Sequence, residues 1–70
     1  MDARKVLGKN VRRIREKRGL SQESLSELTG IHRTYVSGVE RGVRNPTVLI
    51  VAALARALGV KPSDLLDDRS

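Results

Sequence analysis

The sequence predicts an all-α fold of five short helices, and three observations carry that prediction. Apolar residues recur at spacings of three and four, the helical period, in one stretch after another. Glycines at positions 19, 30, 42 and 59 each stand just after such a stretch, where a helix commonly stops. Ser21, His32 and Thr47 then stand where the next helix would be capped. The 70 residues make one domain. A domain this small buries only about 60% of its unfolded surface, so most of its apolar residues must enter the core.

Helix 1 is expected over residues 3–18, with Leu7, Val11 and Ile14 as a narrow apolar stripe and Val6 beside it. Gly19 ends it and Leu20 drops into the core. Ser21 caps helix 2, residues 22–29, and Glu23 complements the positive end of its dipole. Leu25 and Leu28, three apart, are expected to face inward together, with Ser26 on the same side where two helices cross closely. A buried Ser26 hydroxyl is acceptable if it bonds back to the carbonyl four residues earlier.

Ile31 forms the elbow before helix 3, residues 33–41, which puts Val36 and Val39 inside. Its other side presents Arg33, Thr34, Ser37 and Gly38, with Tyr35 at the edge. The loop GVRNP leads to helix 4, residues 48–58, whose sequence VLIVAALARAL is apolar around most of its circumference. Val48, Val51, Leu54, Ala55 and Leu58 give the expected core stripe; Leu49, Ile50 and Ala53 lie off it. After Gly59, Val60 packs back, and Pro62 opens a last short helix, residues 62–66. The domain is expected to span residues 1–66, and residues 67–70 to form a flexible acidic tail.

Composition narrows the function. Net charge is +6, and Arg4, Lys5, Lys9, Arg12, Arg13, Arg15, Lys17 and Arg18 are opposed in residues 1–18 only by Asp2 and Glu16. A basic body suggests an anionic partner for one face. There is no cysteine and one histidine, so no disulfide framework, metal site or cofactor site is expected. The scattered acids and lone histidine assemble no catalytic constellation, and GVRNP lacks the lysine of a phosphate loop, so no enzyme is expected. The N-terminus has no apolar signal region, and no run of about 18 apolar residues occurs anywhere, so the chain is expected in the cytoplasm.

Residues 22–41, QESLSELTGIHRTYVSGVER, read as two short helices joined by a tight turn at Gly30. A pair of this length is the helix-turn-helix unit, whose second helix can enter a DNA major groove; the rival is an ordinary helical corner. Arg33 stands on the first turn of the second helix, where an arginine can bond bidentately to guanine. Thr34 suits a base edge or a thymine methyl, and Ser37 and Gly38 lie on the same face. Gln22, at a helix N-terminus, can orient a phosphate. His32 serves as a polar cap or a phosphate contact. Tyr35 either reaches the DNA backbone or is partly core. Arg41, Arg44 and Asn45 flank the end of the helix and suit the backbone on the other side.

The segments LGKNVRRIREKRGLSQESL, GIHRTYVSGVERGVRNPT and LARALGVKPSDLL together resemble the lambda-repressor/Cro-like, or Xre-type, helix-turn-helix family over essentially the full length. That resemblance implies a lambda-repressor-like five-helix domain, a double-stranded DNA-binding transcriptional regulator acting as a dimer on a partly palindromic operator. It places Gln22, Arg33, Thr34 and Gly38 toward DNA and makes Arg15 and Glu40 a structural ion pair between helices 1 and 3. Two positions depart from the pattern: Ser26 replaces the usual Ala, and Gly38 replaces a long polar residue. Gly38 either forfeits a base contact or permits a close approach to DNA. Leu49, Ile50 and Ala53, more often polar in the family, are expected with Leu65 and Leu66 to form the dimer interface; the alternative is that these side chains merely widen a thin core. The chain looks most like a phage or plasmid repressor or a restriction–modification controller protein, with RNA polymerase or another partner protein in play. The alternative is an antitoxin-type or other protein-interaction module that binds a partner protein through helix 4.

Overall fold

A computed structural model describes residues 2–69, so the two ends of the expected domain and tail, Met1 and Ser70, lie outside the described residues. Five helices run in order: α1 Ala3–Lys17, α2 Gln22–Thr29, α3 Arg33–Glu40, α4 Val48–Leu58 and α5 Pro62–Leu65. Each of the first four begins at a side-chain cap. Asp2 accepts from the Arg4 amide, Ser21 from Ser24, His32 from Thr34 and Thr47 from Ile50. Each of these bonds satisfies an amide that the helix cannot, an effect worth about 1 kcal/mol. The α2–α3 turn is tight because Gly30 sits at φ 75, a left-handed conformation that a side chain would penalise.

The core is one cluster drawn from every helix: Leu7, Val11 and Ile14 of α1, Leu25 of α2, Val36 and Val39 of α3, Leu54, Ala55 and Leu58 of α4, and Leu65 of α5. Leu20, Ile31, Tyr35, Ile50, Val51, Ala57 and Val60 pack around it. No described helix is long and apolar enough to cross a membrane.

Several expectations fail here for geometric reasons. Leu28 does not join Leu25 inside; it is 62% exposed. Residues three apart on a helix differ by about 60° in direction, and α2 is so short that Leu25 alone fills the space under it. Val48, assigned to the core stripe, is 83% exposed, because it overhangs the edge of the core in the first turn of α4. Leu65, assigned to a dimer face, is fully buried. A one-turn helix can aim only one of two adjacent leucines inward, and Leu66 is the one left outside. Ile50, also assigned to that face, is half-buried and packs on the core. Ser26 does not bond backwards along its helix: its hydroxyl donates to the Ile31 carbonyl and so closes the turn.

One buried polar residue stands outside those expectations. Asn10 lies on the α1 stripe three residues after Leu7, and its Nδ2 donates to the backbone carbonyls of Leu65 and Asp67, each at 2.9 Å. The C-terminal segment, expected to be loose from residue 67, is therefore tied to α1 as far as Asp67.

Candidate nucleic-acid interface

Three helices meet at one carboxylate, and the arginine bound to it also holds the loop between the first two. The Arg15 guanidinium donates to both oxygens of Glu40, at 2.6 and 3.0 Å, and also to the Leu20 carbonyl at 2.8 Å. Gln22 donates to the same carboxylate at 3.1 Å. The pair is well covered, with side-chain exposures of 11% for Arg15 and 3% for Glu40, and its hydrogen bonds hold the guanidinium above its ordinary pKa. The network fixes α1, the α1–α2 loop and the start of α2 against the end of α3. Because Gln22 Nε2 carries two hydrogens and gives one to Glu40, the second remains for an outside acceptor.

The approach of α1 to α3 is also set by Gly8. A Cβ there would lie 2.6 Å from the Glu40 carbonyl oxygen and would press on that of Val39 as well. Only glycine lets the two backbones come this close.

Arg33 and Thr34 are exposed on the first turn of α3. Arg33 has no ion pair among the described residues. His32 Nδ1 accepts from the Thr34 amide at 3.1 Å, which leaves Nε2 as the outward-facing donor. Ser37 is half-buried.

Gly38 departs from its expected place on an open reading face: it is buried, and what covers it is Arg44. A Cβ at position 38 would lie 2.7 Å from Arg44 Cγ. The loop makes this possible. Gly42, at φ 76, turns the chain so that its amide bonds the Val39 carbonyl and the Val43 amide bonds that of Gly38. The closure folds residues 43–45 back along α3, and Arg44 lies over the Tyr35 ring at 5.1 Å from its centroid. An interaction of this kind is worth about 0.5–1 kcal/mol at an exposed site. Tyr35 packs its ring on the core while serving as that platform. Arg41 and Asn45 remain exposed on either side.

The exposed apolar residues lie on a different face. Leu49 is 81% exposed and borders an open hollow with Leu28, Ala52 and Ala53. Val48 and Leu66 border a second hollow on the other side of Ala52.

Comparison with known proteins places this arrangement. Residues 11–65 match the helix-turn-helix family HTH_3. The control protein C.SmaI of Serratia marcescens is 46% identical over 66 residues, covering 94% of this chain and 79% of that protein. The restriction–modification controller protein C.AhdI from Aeromonas hydrophila superposes with a TM-score of 0.85 at 44% identity, covering 89% of this chain and 94% of that one. SinR, a master regulator of biofilm formation solved in complex with DNA, superposes with a TM-score of 0.83 at 29% identity, covering 87% and 98%. With the cap at His32, the glycine elbow and the α1–α3 ion pair in place, this five-helix chain belongs to the HTH_3 helix-turn-helix family of transcriptional regulators.

Proposed function

We propose that this regulator reads double-stranded DNA through α3 as a homodimer on a partly palindromic operator. The observation that carries the reading is the first turn of α3, where Arg33 and Thr34 stand exposed beside a capped helix N-terminus. In that position an arginine bonds guanine O6 and N7, worth about 1–3 kcal/mol of discrimination at one base pair. Ser37 and the seated Arg44 extend the reading face. Gln22, His32, Tyr35, Arg41 and Asn45 hold the sugar–phosphate backbone around it.

The dimer reading rests on the exposed apolar face of α4. Leu49 and Ala53 stay in it, Leu28, Val48 and Leu66 join it, and Leu65 and Ile50 leave it for the core. Contiguous apolar surface of this kind commonly marks a protein interface. A two-fold axis through it would present two α3 helices about one DNA turn, roughly 34–36 Å, apart. The same apolar face would serve a second protein, so an antitoxin-like role is the competing use of α4.

Selection from a random duplex library tests both parts. An enriched dyad with half-site centres one turn apart is expected, and Arg33→Ala should flatten preference at one base pair per half-site. Gel filtration of Leu28→Glu/Leu49→Glu, both exposed and safe for the fold, should show a later elution than wild type. An unchanged volume removes the dimer face.

A further inference from the structure

We infer a second DNA-binding surface on α1, a ridge of cations that takes the phosphate backbone beside the C-terminal end of α3. It rests on the DNA-binding reading above and assigns residues that the reading leaves unused. Lys5, Lys9 and Arg12 follow one another at helical spacing, all exposed, and border an open depression with Arg41. The ridge is contiguous with the reading helix: Arg41 is the C-cap of α3, and the Lys5 stem lies where a Cβ on Gly42 would meet it at 3.1 Å.

Five cations face two carboxylates in the depression, while on their other side Lys5 and Lys9 border a second hollow with Asp67 and Asp68. Of the depression's two carboxylates, Glu40 is neutralised by Arg15, and Glu16 makes only an exposed 3.5 Å pair with Arg12 that water and salt weaken. Lys5, Lys9 and Arg41 have no ion pair among the described residues. From Lys5 to Arg12 the helix rises about 10 Å, enough for the ridge to meet more than one phosphate of a strand. The described lining contains no apolar side chain, so it offers nothing to anchor an acidic protein, whose interface would need a dry centre. Flexible lysines without a bidentate fork suit a role that holds a backbone without reading it.

The test measures binding of the selected operator duplex against salt for wild type, Lys5→Gln/Lys9→Gln and Arg33→Ala. Each phosphate that the variant no longer neutralises should lower the slope of log K against log salt by about 0.9, close to fivefold in affinity at 0.15 M salt. The lysine variant should bind with a shallower slope and keep its base preferences; Arg33→Ala should do the reverse. A lysine variant with the wild-type slope overturns the ridge while leaving the reading helix intact. A wild type that selects no duplex at all overturns the reading beneath it. Circular dichroism of the lysine variant confirms that both substitutions, at exposed positions, leave the helices in place.

Discussion

Two glycines sit inside helices at ordinary helical angles, and alanine should act oppositely at them. Neither Gly8 nor Gly38 has a positive φ, so each alanine gains about 1 kcal/mol of helix propensity. The difference lies in what the new methyl meets. At position 8 it meets the backbone carbonyls of Val39 and Glu40, the latter at 2.6 Å. Backbone cannot rotate away, so α1 must retreat from α3 and draw Arg15 off Glu40. Overpacking against backbone belongs at the upper end of the usual range of about 1–3 kcal/mol, and the stretched pair adds to it, so Gly8→Ala should destabilise by about 2 kcal/mol after the propensity gain. At position 38 the methyl meets the stem of Arg44, 2.7 Å from Cγ, an exposed side chain that can swing aside. The cost is a cation–π interaction of about 0.5–1 kcal/mol, nearly offset by propensity, so stability should stay within about 0.5 kcal/mol of wild type. Urea denaturation followed by circular dichroism measures both, and operator binding on the same preparations measures the consequence. Gly38→Ala should keep its midpoint and bind several-fold more weakly. A Gly8→Ala protein as stable as wild type would refute the close approach of α1 and α3. Full DNA affinity in Gly38→Ala would refute the role of the seated arginine.

Other perturbations follow from the same geometry. Glu40→Gln strands the Arg15 guanidinium and should cost about 3–5 kcal/mol in urea unfolding, enough to unfold much of a domain this small. Asn10→Ala removes the donor that Leu65 and Asp67 share, should cost about 1–3 kcal/mol, and should raise amide exchange in α5 before the rest of the chain. Asp2 is held below its ordinary 3.8 by the Arg4 side chain and amide, so its capping contribution is complete above 3.8 and lost as pH falls through the lowered value. Exchange at the first turn of α1 should quicken in that acidic window, and Asp2→Asn should remove the pH dependence.

Punctuation makes the helices legible. Caps and glycines are local chemistry, and the ends of α2 and α4 fall where Ser21, Gly30, Thr47 and Gly59 mark them. Period alone is less sufficient for burial. Leu25 and Leu28 satisfy the same spacing, yet which of them enters the core depends on where α3 and α4 cross a helix of only two turns. Leu65 and Leu66 pose the same problem over a single turn. Asn10 is legible in principle, since a polar residue sits in an apolar stripe, but its partners are carbonyls 55 and 57 residues away. The apolar excess of α4 is readable as a surplus; its membership is not, because Leu28 and Leu66 reach that face from other helices.

The same distinction explains Gly38. In sequence it looks like a deletion from the reading helix, a position that sacrifices stability and a base contact together. In the fold it is half of a pair whose other half lies six residues on, beyond a helix end. Gly42 turns the loop back, Gly38 leaves the groove along α3 open, and Tyr35 supplies a face for the guanidinium that fills it. A long side chain at position 38 would emerge from the helix at a fixed angle. Arg44 instead arrives across the helix from a loop and is held by an interaction of about 1 kcal/mol or less, so under the DNA-reading role proposed above it would leave that seat for a phosphate or a guanine. Rigidity at the first turn, where Arg33 stands on a capped helix, is thereby combined with an adjustable cation at the helix centre.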